Sequence, residues 1–162
     1  MSERFVREGI AADAARIAVI YNQGIEDRVA TFQTELRSEA MMLNWFDSEY
    51  PVFVAGTDSV VMAFAVAFPY RTHAYYTGVR EFSVYAAREG RGHGFAKTAL
   101  QALIENCRER SWWKLVSRVF PENAASRKLL VRLGFREVGI YEKHGRLDGV
   151  WRDVVIVEKL LI

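Results

Sequence analysis

Three glycines at alternate positions, Gly90, Gly92 and Gly94, lie inside the run SVYAAREGRGHGFAKTAL at residues 83–100. A β-rich stretch precedes them and an amphipathic helical pattern follows at once. Glycine lets a backbone come close to a ligand and turn its N–H groups inward. A helix N-terminus adds unpaired donors and a partial positive charge. Together these suit a pyrophosphate, with Arg91 and Lys97 adding charge; the other reading is a tight glycine turn. No Gly-Lys-Ser/Thr follows, so this is not a Walker loop. A G-x-G-x-G after about eighty residues of other elements is also a poor dinucleotide fingerprint.

A second run, FPENAASRKLLVRLGF at residues 120–135, places Asn123 where a helix would start and Gly134 where it would stop. A third, YRTHAYY at residues 70–76, surrounds Arg71 with tyrosines, among them Tyr75 and Tyr76. An arginine so flanked suits a carboxylate or phosphinate; the alternative is an exposed connection. His73, His93 and His144 lie far apart, with no cysteine or carboxylate at ligand spacing, so no metal site is expected.

The elements that must position these residues follow from periodicity. The 162 residues suit one domain, residues 1–162, able to bury a sizeable core. Hydrophobic residues make up 51% and charged residues 26%, a globular composition. The single cysteine, Cys107, excludes an intramolecular disulfide. A net charge of +2 gives no electrostatic case for nucleic acid. The longest apolar run, VVMAFAVAF at residues 60–68, is too short to span a membrane as a helix, which needs ~20 residues. The N-terminal residues carry charge and no continuous apolar segment, so no signal peptide is expected. A cytoplasmic protein is the expectation.

Residues 5–7 suggest a strand and residues 11–23 a helix, with Ala14, Ile17, Ile20 and Tyr21 on one side. Residues 31–37 read as a loop. Ser38 caps a second helix carrying Met41, Met42, Trp45 and Phe46 toward a core, and Pro51 ends it. Residues 52–55 and 60–68 form a hairpin around a turn at residues 56–59. Residues 79–86 form a strand with Phe82 and Val84 on one face and Glu81, Ser83 and Tyr85 on the other. After the glycine loop, Ala96, Ala99, Leu100, Leu103, Ile104 and Cys107 make a helical stripe. Strands at residues 114–120, 135–141 and 151–160 and a short helix from Asn123 complete a mixed α/β domain around one central sheet.

The glycine loop and the Asn123 segment, in this order and on these elements, resemble the GCN5-related N-acetyltransferase superfamily. Residues 89–94 sit on its Q/R-x-x-G-x-G/A pattern, and Asn123, Ser126 and Leu129 on its second motif. IAVIYNQGIEDRVATFQTELRS, REFSVYA and DGVWRDVVIVEKLL are similar to the phosphinothricin and methionine-sulfoximine branch. The resemblance implies a mixed, mostly antiparallel sheet with one splayed strand pair, residues 81–86 against residues 114–120, and flanking helices. It implies acetyl-CoA as cosubstrate and a small-molecule amine as acceptor. Val84 and Ala86, with Tyr85 between them, would hold the pantetheine arm; Gly90, Arg91, Gly92, His93, Gly94 and Phe95 the pyrophosphate; Asn123 and Ser126 the arm near the thiol. Glu81 would be the general base, with His144 a secondary candidate. Phe32, Thr34, Arg71, Tyr75 and Tyr76 would line the acceptor pocket.

Two positions depart from the pattern. Glu89 stands at the Q/R position, and Leu130 stands where many members carry the tyrosine that protonates the leaving thiolate. The branch also implies a homodimer, for which the apolar run VVIVEKLLI offers an edge. A protein or peptide amine as acceptor, or an acetyl-CoA-binding module without catalysis, are the alternative readings.

Overall fold

The computed structural model describes residues 2–162. Strand β1 (Arg4–Glu8) leads through a 3-10 turn (Ala11–Asp13) into helix α1 (Ala14–Asp27). After a loop come α2 (Glu39–Asp47), β2 (Val52–Thr57), β3 (Val60–Pro69) and β4 (Val79–Ala86). Then follow α3 (Phe95–Glu109), β5 (Lys114–Val119), α4 (Ala124–Arg132), β6 (Arg136–Leu147) and β7 (Val150–Leu160). The seven strands form one sheet in the order β1-β2-β3-β4-β5-β7-β6. Every pairing is antiparallel except β4–β5, which is parallel and crosses over through α3.

Helices cover both faces, which is why β3 is apolar without alternation. On one face Ala99, Leu100, Leu103, Ile104 and Cys107 of α3 pack on Ala55, Ala63, Ala65 and Ala67. Those small side chains let the helix lie close to the sheet. On the other face Ile17 and Ile20 of α1 and Met42 of α2 pack on Val52, Val54, Phe64 and Val66.

Several local expectations change. The first helix starts at Ala14 and runs to Asp27, because residues 11–13 form a separate 3-10 turn. Ser38 does cap α2, accepting a bond from the Met41 N–H at 3.3 Å, but the Met41 side chain is 50% exposed and does not reach the core. The hairpin turn is shorter than residues 56–59. Asp58 and Ser59 both take positive φ, 50° and 66°, as a two-residue turn of the primed kind requires. Gly56 lies within β2 at a register shift, where a Cβ would come within 1.9 Å of the Val60 carbonyl oxygen.

The last hairpin is longer than residues 135–141 and 151–160 imply. β6 continues through His144 to Leu147 and turns on Asp148 and Gly149. The C-terminal run is also no sheet edge. β7 lies between β5 and β6 with Val154, Val155 and Val157 buried, and the edge on this side of the sheet is β6, with β1 at the other end. No helix among the described residues is long and apolar enough to cross a membrane.

Candidate active site

The parallel ladder between β4 and β5 has three paired positions: Val79 with Lys114, Arg80 with Leu115 and Glu81 with Val116. Beyond Glu81 the strands part, as the splayed pair implies. The Ser117 hydroxyl reaches across the start of the gap and donates to the Phe82 carbonyl at 3.0 Å. That carbonyl therefore faces β5. Alternation along a strand puts the main-chain groups of Val84 and Ala86 on the same side, where no strand pairs with them. Tyr85, between them, pairs with Phe64 across β3 and packs its ring against Tyr21 at 4.9 Å. Burial pushes its phenol above the ordinary range. Gly24 is small for this reason: a Cβ there would meet the Tyr85 ring at 2.9 Å.

The cleft between β4 and β5 is lined by Val84, Tyr85, Ser117, Asn123, Ser126 and Leu130, and Ala30 from the loop after α1 borders it. Asn123 uses both ends of its amide. Its oxygen accepts the Ser126 N–H at 3.2 Å, capping α4, and its NH2 donates to the Val29 carbonyl at 3.2 Å. The loop after α1 is thereby tied over the cleft. Glu81 stands at the foot of the gap, partly exposed, with the Arg118 guanidinium 3.8 Å from its carboxyl. At this exposure such a contact is worth little energetically.

At the other end of β4 the chain makes a 3-10 turn (Arg88–Gly90) and enters the glycine loop. Gly92 and Gly94 take φ of 81° and 83°, a region that side chains with a Cβ disfavour. A Cβ on Gly92 would meet nothing within 4 Å, so the loop surface there is open. Gly94 is the N-cap of α3, and the first N–H groups of that helix lack intrahelical acceptors by geometry. His93 and Gly94 are exposed, while Phe95 is buried beneath the Arg4 guanidinium, 4.1 Å from its ring.

The charges around the loop are fixed. Arg88 and Arg91 both bind Asp27 at the end of α1, at 2.8 and 2.7 Å. The hydrogen bond from Arg88 holds the Asp27 carboxyl below the usual range. Glu89 points to Arg16 at 2.7 Å, and that hydrogen bond lowers its pKa in turn. Its charge is thus matched by a cation of α1 rather than turned on the loop. Asp27 and Ser117 are contributors that the sequence reading missed. Ser117, a hydroxyl within an apolar strand, was a visible signal; Asp27 was visible only through the fold.

The proposed acceptor residues occupy two places. Phe32 packs edge-on against Phe120 at 5.0 Å and abuts Gly145 of β6, and Thr34 is exposed beyond it. His144 therefore lies next to the Phe32 contact, but it is exposed and its ring packs on Tyr141 at 5.0 Å. Arg71, Tyr75 and Tyr76 lie between β3 and β4, where Ala74–Tyr76 form a 3-10 turn. Tyr75 is 68% exposed and stacks on His73 at 5.1 Å. Leu130 is buried, so the position of the usual acid offers no hydroxyl.

The site is thus a sheet opened by one parting parallel pair, with a glycine loop and a helix N-terminus at the far end of the same strand. Residues 18–135 match the Acetyltransferase (GNAT) family, and the chain belongs to that family. It is 31% identical over 158 residues to the L-methionine sulfoximine/L-methionine sulfone acetyltransferase of Pseudomonas aeruginosa, covering 94% of this chain and 92% of that one. The solved structure of a phosphinothricin acetyltransferase from Sinorhizobium meliloti in complex with AcCoA superimposes with a TM-score of 0.90 at 28% identity, covering 97% and 88% of the two chains. That of a ribosomal-protein-alanine N-acetyltransferase from Brucella melitensis gives 0.91 at 31% identity, covering 96% and 99%. The chain is accordingly an N-acetyltransferase of the phosphinothricin and methionine-sulfoximine branch.

Proposed function

We propose that this enzyme transfers the acetyl group of acetyl-CoA to the primary amine of a small amino acid or amino-acid analogue, with Glu81 as general base. The observation that carries this reading is the position of Glu81, the last paired residue before β4 and β5 part. A group there meets an amine entering at the foot of the gap.

In this reading the free main-chain groups of Val84 and Ala86 pair with the pantetheine amides as an added strand would. Residues 90–95 hold the pyrophosphate, chiefly through N–H groups at the start of α3. Asn123 and Ser126 contact the arm near the thiol. Phe32, Thr34, Arg71, Tyr75 and Tyr76 surround the acceptor. Glu81 takes a proton from the substrate ammonium, since a protonated amine (pKa ~10) cannot attack a thioester. The freed nitrogen bonds to the thioester carbonyl carbon, the C–S bond breaks, and the nitrogen loses its second proton to solvent. With Leu130 at the usual acid position, the departing thiolate takes its proton from water. His144, beside the Phe32–Gly145 contact, is the secondary candidate for the proton transfer.

The Brucella relative's name favours a second reading, a protein N-terminal amine as acceptor. Thiol release from acetyl-CoA, followed with a panel of free amino acids and alanine-started peptides, separates the two. Turnover with free amino acids and none with peptides is expected; the reverse would overturn the small-acceptor reading, and release with neither would leave an acetyl-CoA-binding module.

We also propose a homodimer formed through β6, the edge strand beyond β7, which exposes Val138, Ile140 and Tyr141. Sedimentation velocity at micromolar concentration should give twice the chain mass; a monomer would remove the proposal.

A further inference from the structure

On the core-facing side of β5, Ser117 stands between Leu115 and Val119. Both neighbours are buried in the apolar cluster beneath α3. Phe82, across the seam, and Val157, the β7 partner of Ser117, belong to the same cluster. Packing alone calls for an apolar, β-branched residue at such a position. Ser117 instead brings a hydroxyl, which donates to the Phe82 carbonyl at 3.0 Å.

That carbonyl is the first acceptor of β4 beyond the ladder, since pairing with β5 ends at Glu81 and Val116. The main chain of β4 alternates between its two neighbours. Ala87, just past the strand, donates to the Met62 carbonyl of β3 at 2.7 Å. Odd-numbered groups therefore turn to β3, and those of Phe82, Val84 and Ala86 turn to the gap. With the Phe82 carbonyl held by Ser117, the rungs left open are Val84 and Ala86.

Main-chain rungs are chemically alike, so an extended ligand on a strand edge gains no register from them. Rungs on one side recur every two residues, ~7 Å apart. The pyrophosphate loop fixes only the far end of the pantetheine arm, whose rotatable bonds leave its amides a choice of rung. A free Phe82 carbonyl would be a third rung, one residue from Glu81. An arm drawn to it carries the thioester past the carboxylate. A ladder of three paired positions without a tie at its open end would also fray.

Resting on the reading above, in which the arm adds to β4 and Glu81 is the base, we propose that Ser117 is a positioning residue that sets the register of acetyl-CoA. It occupies the Phe82 carbonyl and closes the seam there. The arm then stops at Val84, and the thioester meets the amine at Glu81. This is a contribution to geometry more than to affinity, so it belongs to kcat.

In Ser117→Ala, kcat with any amino acid that wild type acetylates should fall ~10–100-fold, the cost of a small misplacement of reacting groups. KM for acetyl-CoA should change little. Ser117→Thr keeps the hydroxyl and should recover most of the rate; Ser117→Val, nearly the same shape without it, should not. Equal recovery by Thr and Val would reduce Ser117 to packing and overturn the proposal. A raised KM with kcat unchanged would make it a binding contact and overturn it as well. Hydrogen exchange with acetyl-CoA and no acceptor reads the register without turnover. Wild type should protect the amides of Val84 and Ala86, whereas Ser117→Ala should keep protection at Val84 and lose it at Ala86. Protection of both amides in both proteins would overturn the register role and leave the arm on β4. Protection of neither in wild type would take the arm off β4, and this proposal with it.

Discussion

At the scale of single residues, Glu81 and Asp13 make opposite use of a carboxylate. Glu81, the proposed base, stays partly exposed beside a parting strand pair. Changing Glu81 to Gln keeps the shape and removes the base. Turnover should fall ~10²–10⁴-fold while acetyl-CoA affinity holds. Raising the pH, which supplies free amine, should restore part of the rate. Near wild-type turnover of this variant at neutral pH would remove Glu81 as base; a loss without recovery at high pH would make it a positioning group. Asp13 is instead buried in the turn before α1. Burial alone would raise its pKa, but the Arg7 fork at 2.8 and 2.9 Å and the Ile10 N–H reverse that and hold it below the ordinary value. Its folded-state pKa is depressed, so the stability it adds is present above the unfolded value of ~3.9 and is lost as pH falls through the folded value. Asp13→Asn should therefore cost about 1–3 kcal/mol at neutral pH. Denaturant titrations of the two proteins should draw together only as pH falls from the unfolded value of ~3.9 through the lower folded value; a gap that stays constant across that fall would mean the loss is not one of charge.

At the scale of elements, what the sequence made legible was periodic and local. The α3 stripe, the Ser38 and Asn123 caps, the Gly134 stop and the β4 face assignment need only near neighbours, and each is found in place. The lengths of β6 and of the β2–β3 turn were not legible. β6 is carried past its apolar segment by pairing with β7, which no pattern within residues 142–147 announces. The site divides in the same way. Glycines in a loop and an asparagine before a helix show themselves, whereas Asp27 holding two loop arginines depends on which elements the topology brings together. Two glycines test this at the element level. Gly78 lies under Trp113, where a Cβ would come within 2.0 Å of the ring, so Gly78→Ala should displace the α3–β5 connection from β4. The expected loss is ~1–3 kcal/mol in urea midpoint stability; an unchanged midpoint would show that the tryptophan yields freely. Gly92 has room for a Cβ, so Gly92→Val should leave a folded protein. It should nevertheless weaken acetyl-CoA, because the side chain occupies the approach to the loop N–H groups and its φ of 81° is disfavoured. Unchanged calorimetric affinity would defeat the assignment of the loop.

At the scale of the whole molecule, the sheet is two half-sheets sharing a short seam. β1 to β4 form one side and β5, β7 and β6 the other, joined along the sheet by three parallel pairs and one serine bridge. The core under α3 spans both sides, since Phe82 and Leu115 belong to the same apolar cluster. The open main-chain edge of β4 leaves donors and acceptors that only solvent or a ligand can satisfy. A cosubstrate lying in the gap as an added strand would close that edge and connect β4, the glycine loop and Asn123. It would bind the native state and not the unfolded chain, so it should raise the melting temperature with its concentration. The stabilisation should grow as the logarithm of ligand excess, reaching ~4 kcal/mol at a thousandfold excess over Kd. Differential scanning calorimetry over a series of acetyl-CoA concentrations reads this. Hydrogen exchange locates it: the amides of Val84 and Ala86 should become protected on binding, while Ser83 and Tyr85, already facing β3, should change little. A shift in melting temperature without protection at Val84 and Ala86 would place the cosubstrate outside the gap.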